Sequence, residues 1–286
     1  LTTDGQVSCW GDEYAATLGA KSKEGELTPV RGVQGASDLA VGDRFACAVD
    51  SSGQAWCWGD NDKGQLGRGD REPSDSPVKV YGLADATAIA AGYAHACAAR
   101  ENGSVTCWGD DSLGKFTAQG RGTRTRPVNL PGPKGIVRLA AGRSHTCGVD
   151  KAGQVTCWGD DTYGQLGDGV GKKNGRVSGL SGVKAISLGA DHSCAVRSNG
   201  SVACWGDNRN GQIGNGGNDV YDPALAPDLI DEKVIGVSAY RHTCYLLEGG
   251  GVRCSGGGAH GPRYESVRYG PSLRGPPQDV ERGDSP

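Results

Sequence analysis

The sequence predicts an all-β fold, a single β-propeller built from repeated sheets of about four antiparallel strands each. Glycine supplies 50 of the 286 residues, and each glycine inside a helix costs about 1 kcal/mol relative to alanine. A Cys-Trp-Gly segment returns about every 50 residues, which marks structural units of fixed length. The apolar residues stand in short runs flanked by glycine or aspartate, a pattern typical of strands.

Two series of cysteines define the repeat. The first series begins each Cys-Trp-Gly segment (Cys-Ser-Gly in the last copy), at Cys9, Cys57, Cys107, Cys157, Cys204 and Cys254. The second series stands ten residues ahead of its partners, at Cys47, Cys97, Cys147, Cys194 and Cys244. We therefore expect one domain over residues 1–286 with six repeat units, about 1–46, 47–96, 97–146, 147–193, 194–243 and 244–286, of which 255–286 is irregular.

Within each unit the elements follow one another in a fixed order. A strand that carries the leading cysteine, as in residues 46–50, ends in a turn with glycine at its third loop position, as at Gly53. That position requires a left-handed backbone, which glycine adopts without steric cost. The returning strand carries Cys-Trp-Gly, as in residues 155–159, and leads into a polar loop containing Gly-Gln-Leu-Gly. The loop ends at a Pro-Val pair, and a further apolar run, such as residues 88–92, supplies another strand.

The two chain ends predict how the ring closes. Residues 279–284 resemble residues 38–43, and Leu1 aligns with Val49 in the repeat. We expect strands from both termini to complete the last blade of a six-bladed ring, or of a seven-bladed one if the chain is trimmed. The true N-terminus would then be missing, and Cys9 would lack the partner that its spacing implies.

The complete repeat pattern resembles that of a known family. Gly-x-x-His-x-Cys-Ala-Val, followed by Gly-x-Val-x-Cys-Trp-Gly-Asp and Gly-Gln-Leu-Gly, is similar to the repeat of the regulator of chromosome condensation family over residues 1–254. This resemblance implies a propeller, usually of seven blades. The cysteine pairs look more like those of bacterial secreted or surface-attached proteins with this repeat than like the nuclear members.

The ten-residue spacing places the two cysteines of a unit opposite each other in a hairpin. Directly opposed residues of two strands are close enough for a disulfide. We therefore predict five structural bridges and an unpaired Cys9, with free buried thiols or a metal site as the alternatives. The predicted bridges are Cys47–Cys57, Cys97–Cys107, Cys147–Cys157, Cys194–Cys204 and Cys244–Cys254. Disulfides indicate an oxidising compartment, so we expect a secreted, periplasmic or cell-surface protein.

Repetition argues against a catalytic role for the histidines. Four of the five share one place in the repeat, at His95, His145, His192 and His242, and Phe45 fills that place in the first unit. We expect a structural role there, a backbone hydrogen bond between strands. The tryptophans of Cys-Trp-Gly are predicted to pack the blades.

No cofactor, metal ion or catalytic residue is predicted. Residues 60–64 resemble the opening of a calcium loop, but Arg71 stands where the bidentate glutamate belongs, so Asp60 and its equivalents are interpreted as turn formers. The chain shows no catalytic motif. Its net charge of −3 and pI near 6.0 disfavour nucleic acid, and no apolar run is long enough to span a membrane.

Positions that vary between repeats are the candidate contacts with a partner. One set lies between the glycine and the histidine of each unit, and tyrosine and arginine there are typical of binding hot spots. The other set lies in the basic loop of residues 109–127 and at Trp56, an aromatic at a register position interpreted as solvent-facing. The candidates are Asp43, Arg44, Tyr93, Arg143, Asp191, Tyr240 and Arg241 in the first set, and Trp56, Lys115, Phe116, Arg121, Arg124 and Arg126 in the second.

These observations favour a monomeric, non-enzymatic propeller that binds a protein partner outside the cytoplasm through one face or its long loops. The resemblance implies a second possibility, nucleotide exchange on a Ran-type GTPase, although no insertion breaks the repeat where the exchange wedge would stand. A third possibility is a secreted binder similar to the β-lactamase inhibitors of this family. An enzyme with an active site in the central channel is the remaining alternative.

Overall fold

The structure, a computed structural model, describes residues 1–10, 27–113, 122–169, 174–215, 221–225 and 232–256. Every regular element in these ranges is a β-strand, and all sheets are antiparallel. The first two strands, β1 (Ser8–Cys9) and β2 (Thr28–Pro29), form a short two-stranded sheet. The all-β fold is as the sequence predicts.

Larger sheets follow in chain order, each built from consecutive strands with the first strand innermost. The first comprises β3 (Ala36–Val41), β4 (Phe45–Asp50), β5 (Ala55–Gly59) and β6 (Ser74–Lys79). The second comprises β7 (Ala86–Ala91), β8 (His95–Arg100), β9 (Val105–Asp111) and β10 (Gly122–Asn129). The third comprises β11 (Ile136–Ala141), β12 (His145–Asp150), β13 (Val155–Gly159) and β14 (Asn174–Arg176). The fourth comprises β15 (Val183–Leu188), β16 (His192–Arg197), β17 (Val202–Gly206) and β18 (Tyr221–Leu225). The fifth has three described strands, β19 (Val234–Ala239), β20 (Thr243–Leu247) and β21 (Val252–Ser255).

The sheets are out of phase with the repeat units defined by the cysteines. The first four-stranded sheet runs from Ala36 to Lys79 and therefore crosses the boundary between units 1–46 and 47–96. The strand before each leading cysteine belongs to the same sheet as that cysteine. One sheet is thus a propeller blade of four strands, as predicted, but it begins one strand earlier than the cysteine series does.

The hairpin turn between the second and third strand of a blade has the predicted geometry. Gly53 has a φ of +82°, and the glycines at the same place in the other hairpins also have positive φ. Asp50 Oδ1 accepts the amide protons of Ser52 at 2.9 Å and Gln54 at 3.1 Å. The turn fixes a register in which Cys47 pairs directly with Cys57.

Neighbouring blades pack face to face, with their innermost strands side by side. β3 contacts β7, β7 contacts β11, β11 contacts β15, and β15 contacts β19. The tryptophans that follow the second cysteine of the four-stranded blades are fully buried in the cores between blades. Trp108 lies against Leu66 and Val80 of the preceding blade and donates its indole N–H to the carbonyl of Gln65 at 2.8 Å.

The predicted closure of the ring by terminal strands concerns residues 257–286, which lie outside the described residues, and so does His260. Six or seven blades, and one domain over residues 1–286, therefore stay predictions. Among the described residues there is no helix with the length and hydropathy needed to cross a bilayer.

Candidate functional site

Disulfides join ten of the eleven cysteines. The five pairs are the predicted ones, with Cα atoms 4.0 to 4.1 Å apart: Cys47–Cys57, Cys97–Cys107, Cys147–Cys157, Cys194–Cys204 and Cys244–Cys254. These ten residues are therefore neither free thiols nor metal ligands. Cys9 is the free cysteine, and burial raises the pKa of its thiol.

The repeated histidines make a contact that the sequence analysis did not predict. Nε2 of His95 lies 2.8 Å from the hydroxyl of Thr146, and Nε2 of His192 lies 2.8 Å from the hydroxyl of Thr243. His145 contacts Ser193 in the same way at 2.9 Å. Nε2 of each of these three rings thus reaches a hydroxyl on the second strand of the next blade, where the sequence analysis expected a backbone group. Burial lowers the pKa of His192 to about 4.

The hydroxyls join the blades to the long loops. Ser193 donates to the carbonyl of Gln165 at 3.0 Å, and Trp205 donates its indole N–H to the same oxygen at 2.8 Å. Thr243 donates to the carbonyl of Gln212 at 2.8 Å. The glutamines belong to the Gly-Gln-Leu-Gly segments and their equivalent, so this part of each long loop is fixed against the following blade.

In the described repeats, aspartates after Trp-Gly form turns, as the sequence indicates. Asp60 Oδ1 accepts the amide proton of Asn61 at 2.8 Å, and Asp160 Oδ1 accepts the amide and hydroxyl protons of Thr162. Asp207 accepts two side-chain hydrogen bonds from Arg209, at 2.9 and 3.1 Å. No group of three metal-binding side chains occurs in the described ranges of the chain.

Each blade has a turn between its first and second strands. We call these turns together the rim, which comprises residues 43–44, 93–94, 143–144, 190–191 and 240–241. Backbone hydrogen bonds link successive turns, from Arg143 to Ala190 at 3.3 Å and from Ala190 to Tyr240 at 2.7 Å. Further backbone bonds tie rim residues to the starts of the long loops, as from Asp60 to Arg44 at 2.8 Å. The rim and these loop starts therefore share one face of the propeller, the loop face.

Tyrosines and arginines of the rim are exposed. Tyr93 is 53% exposed and Tyr240 is 62% exposed. The guanidinium of Arg143 lies 5.6 Å from the ring centre of Tyr93, and that of Arg241 lies 5.8 Å from the ring centre of Tyr240. Arg44 is exposed beside Asp43, with 3.9 Å between their charged groups. The structure thus brings the rim candidates together on one face.

A mixed charge cluster continues the rim on the third and fourth blades. Burial raises the pKa of Asp191, and the carboxylates of Asp207 and Asp160 raise it further, while the guanidinium of Arg143 opposes them. Arg209 stacks on Tyr163 with 4.2 Å to the ring centre. The sequence analysis missed Tyr163 and Arg209, although both vary between repeats.

Of the candidates in the basic loop, the structure describes Arg124 and Arg126. Lys115, Phe116 and Arg121 lie outside the described residues. Arg124 bonds the fully buried carboxylate of Asp111 at 3.2 Å, so its charge is engaged within the protein. Arg126 is exposed and stacks on Tyr81 with 4.1 Å to the ring centre.

The Trp56 position, interpreted as solvent-facing, is only partly exposed in four repeats and is buried in two. Its equivalents Thr106 and Ala203 are 1% and 2% exposed, because neighbouring blades cover both faces of a propeller sheet. Trp56 itself is half-buried, donates its indole N–H to Asp50 at 2.8 Å and lies under the ammonium of Lys79.

Blades of four antiparallel strands, packed with their first strands side by side, define a β-propeller, here one with a disulfide between the second and third strands of each larger sheet. Residues 1–264 match the family model of the RCC1-like domain. The chain belongs to this family, as the resemblance in its repeats predicts. No curated protein sequence matches the chain.

Solved structures show the same fold. Prp20p from Saccharomyces cerevisiae, described with its binding to Gsp1p and histones, is 27% identical, with a TM-score of 0.73 over 90% of this chain and 67% of that one. Yeast RCC1 (Prp20) bound to Kap60 is 26% identical, with a TM-score of 0.72 over 90% of this chain and 65% of that one. Human WBSCR16 is 21% identical, with a TM-score of 0.74 over 86% of this chain and 68% of that one. The chain thus spans about two thirds of the length of these structures.

Proposed function

We propose that this chain is a non-enzymatic propeller that binds a protein partner outside the cytoplasm through its loop face. The observation that carries the proposal is a contrast in exposure between positions that repeat from blade to blade and positions that vary. In the four-stranded blades the repeated cysteine and tryptophan positions and the histidines are buried, although His242 and Cys254 of the last described sheet are exposed. The variable rim residues Asp43, Arg44, Tyr93, Arg143, Tyr240 and Arg241 are exposed on one face. Exposed tyrosine and arginine are residue types enriched in binding hot spots.

Hydrogen bonds that fix the described parts of the long loops support binding. The loop starts are bonded to the rim backbone, and the Gln165 carbonyl accepts hydrogen bonds from Ser193 and Trp205. A surface that is already ordered loses little conformational entropy when a partner binds. The guanidinium–tyrosine stacks hold large side chains in one orientation, which reduces the same cost.

Five disulfides support a location outside the cytoplasm. Structural disulfides persist in oxidising compartments and are rare in the cytosol and nucleus. Every cysteine except Cys9 is paired. Because the same bridge recurs in every larger sheet, a structural role is favoured over redox sensing.

Site-specific photocrosslinking in the source cells tests the binding face. A benzoylphenylalanine at Tyr93 or Tyr240 is expected to yield a discrete adduct with one protein, identified by mass spectrometry. Glu101 is the control, because it is exposed in the turn between β8 and β9, at the end of the blade opposite the rim. Equal adducts from all three positions, or none from the rim, would contradict the proposal.

A purified partner then allows a quantitative test. Tyr93→Ala and Arg143→Ala should each weaken its binding about tenfold or more if the rim is the hot spot. Glu101→Ala should leave the affinity within about twofold, because surface residues outside a hot spot contribute little. Thermal unfolding of each variant establishes that the fold is unchanged.

The likeness to Prp20p favours a second candidate, regulation of a small GTPase by nucleotide exchange. That protein was described with its binding to Gsp1p, and it is 27% identical to this chain. Release of a fluorescent GDP analogue from purified Gsp1p tests this directly. Acceleration by the chain, lost in rim variants, supports exchange, whereas an unchanged release rate excludes Gsp1p as its substrate.

A further inference from the structure

The sequence contains the pattern Asn-x-Ser twice, and both copies fall on the same place in the repeat. Asn102 is followed two residues later by Ser104, and Asn199 by Ser201, with glycine between them in each case. Both copies lie in the turn between the second and third strands of a blade, one between β8 and β9 and the other between β16 and β17. Asn-x-Ser without proline at the middle position is the acceptor pattern for N-linked glycosylation.

Both asparagines are exposed, and their side chains are held by the turn. Oδ1 of Asn102 accepts the amide proton of Ser104 at 2.9 Å. Oδ1 of Asn199 accepts the amide proton of Ser201 at 3.0 Å and its hydroxyl proton at 2.8 Å. Within the part of the chain that the structure describes, Nδ2 of each asparagine makes no hydrogen bond. The nitrogen that would carry a sugar is therefore accessible and unengaged.

The corresponding turns of the first and third blades are closed without this pattern. There Asp50 and Asp150 accept the same turn amide, that of Gln54 at 3.1 Å and that of Gln154 at 2.9 Å. The asparagines of the other two blades thus take over a capping role that aspartate also fills. Capping accounts for the asparagines, but it uses only a backbone amide of the serines and so does not require a hydroxyl there.

The serine hydroxyls have no structural contact that would account for them. The hydroxyl of Ser201 bonds to Asn199, and that of Ser104 makes no hydrogen bond in the described ranges. Gln54, at the equivalent place, instead donates its side-chain amide to the carbonyl of Leu83 at 2.9 Å. Serine is too short to make that contact. The joint change to asparagine and serine in the same two turns therefore favours the acceptor pattern over turn stability.

We propose that Asn102 and Asn199 each carry an N-linked glycan. The proposal rests on the location outside the cytoplasm proposed above, because this modification belongs to secreted and surface proteins. In the transfer, Nδ2 attacks the anomeric carbon of an oligosaccharide carried on a lipid pyrophosphate. A carbon–nitrogen bond forms, the bond from that carbon to the phosphate oxygen breaks, and the lipid pyrophosphate leaves with the electron pair. A base of the cellular transferase takes one proton from the amide.

The two glycans would lie away from the loop face. The turns that hold Asn102 and Asn199 are at the opposite end of the blade from the rim, because consecutive strands of a blade are antiparallel. An attached glycan is bulky and hydrophilic, so it would shield the far face of the propeller and leave the loop face open to a partner.

Peptide mapping of the protein from its source cells tests the proposal. A peptide N-glycosidase in water enriched in heavy oxygen converts a glycosylated asparagine into an aspartate that carries one heavy oxygen. We expect this label at Asn102 and Asn199 and not in a parallel digest without the enzyme. Asn210 is the matched control, since it is exposed and followed by glycine but has Gln212 two residues on, and it should stay unlabelled.

Hydroxyl variants assign the acceptor pattern. Ser104→Ala keeps the backbone amide that Asn102 caps but removes the hydroxyl, so it should lose the label at Asn102 and keep it at Asn199. Ser104→Thr should retain both labels, because threonine also completes the pattern. Undiminished labelling of Asn102 in Ser104→Ala would contradict N-linked transfer.

The unaltered protein alone can overturn the proposal, whether or not a variant folds. Unmodified asparagine, or aspartate equally abundant without the enzyme, contradicts a glycan at that position. A free-thiol count on the same sample separates this failure from failure of the proposed location. With five bridges present the location stands and the glycan proposal alone is wrong, whereas eleven free thiols would overturn both.

Discussion

The imidazole of His192 and the hydroxyl of Thr243, 51 residues apart in sequence, lie 2.8 Å apart across two neighbouring blades. Thr243 gives its own proton to the carbonyl of Gln212, so Nε2 of His192 is the donor in this pair. The first blade shows the alternative, because Phe45 replaces the histidine and Ala96, one blade on, replaces the hydroxyl residue. The histidine and the hydroxyl residue are thus both present at one blade interface and both absent at the other.

The His192 contact predicts a stability loss in acid. The pKa of His192 is about 4 in the folded chain against 6.5 for the free side chain, so below pH 6.5 only the unfolded state gains a proton. The free energy of unfolding should therefore fall by up to about 3 kcal/mol between pH 6.5 and pH 4 through this group alone. Urea unfolding across this pH range measures it. The His192→Phe, Thr243→Ala variant should show a correspondingly shallower fall, and an unchanged pH profile would contradict the assignment.

Coupling between ring and hydroxyl should be measurable at His95 and Thr146. His95→Phe leaves a buried hydroxyl without its ring partner and should cost about 2 kcal/mol, and Thr146→Ala about 1 kcal/mol. The double variant reproduces the pair found at Phe45 and Ala96, so it should be more stable than the sum of the single effects by about 1 kcal/mol. Strict additivity in denaturant unfolding would show that the two side chains do not interact energetically.

The glycine three residues before each buried ring is required because a side chain at that position would collide with the ring. A left-handed backbone is not the reason, since these glycines do not adopt one. A Cβ on Gly189 would overlap Cε1 of His192 and lie 2.5 Å from the carbonyl oxygen of Tyr240. Gly189→Ala should therefore lower the free energy of unfolding by about 2–3 kcal/mol. Gly236→Ala is the control, since its Cβ would first meet Leu246 at 3.6 Å, and it should change stability by less than about 1 kcal/mol. Similar losses in the two variants would argue against this packing.

The hairpin bridges should account for much of the stability. Replacing Cys147 and Cys157 together with alanine opens one bridge and should cost about 3 kcal/mol in the free energy of unfolding. Cys9→Ala removes the unpaired thiol and should cost less than about 1 kcal/mol. Guanidinium unfolding without reductant compares the two variants. If Cys9→Ala proved as damaging as the double variant, the bridge itself would not be the source of the stability.

Local sequence was sufficient to predict the blade hairpins. Gly53 fixes a three-residue turn, the turn fixes the register, and the register places Cys47 opposite Cys57. All three steps depend on residues within one short segment. For this reason the fold class and the disulfides could be predicted before any contact between repeats was known.

Contacts between blades could not be predicted in the same way. The partner of His192 is 51 residues away, and identifying it requires knowing which faces of two blades meet. The error at Trp56 has the same origin, because alternation along a strand distinguishes core from solvent only when one face of the sheet is uncovered.

The most direct test of the account is a count of free thiols in protein taken from its source cells, alkylated without reductant and weighed intact. We predict one alkylated thiol, Cys9, with the other ten cysteines in five bridges. That result would support a disulfide-bonded propeller in an oxidising compartment. Eleven alkylated thiols would contradict it and would redirect the search for a partner to the cytoplasm and nucleus.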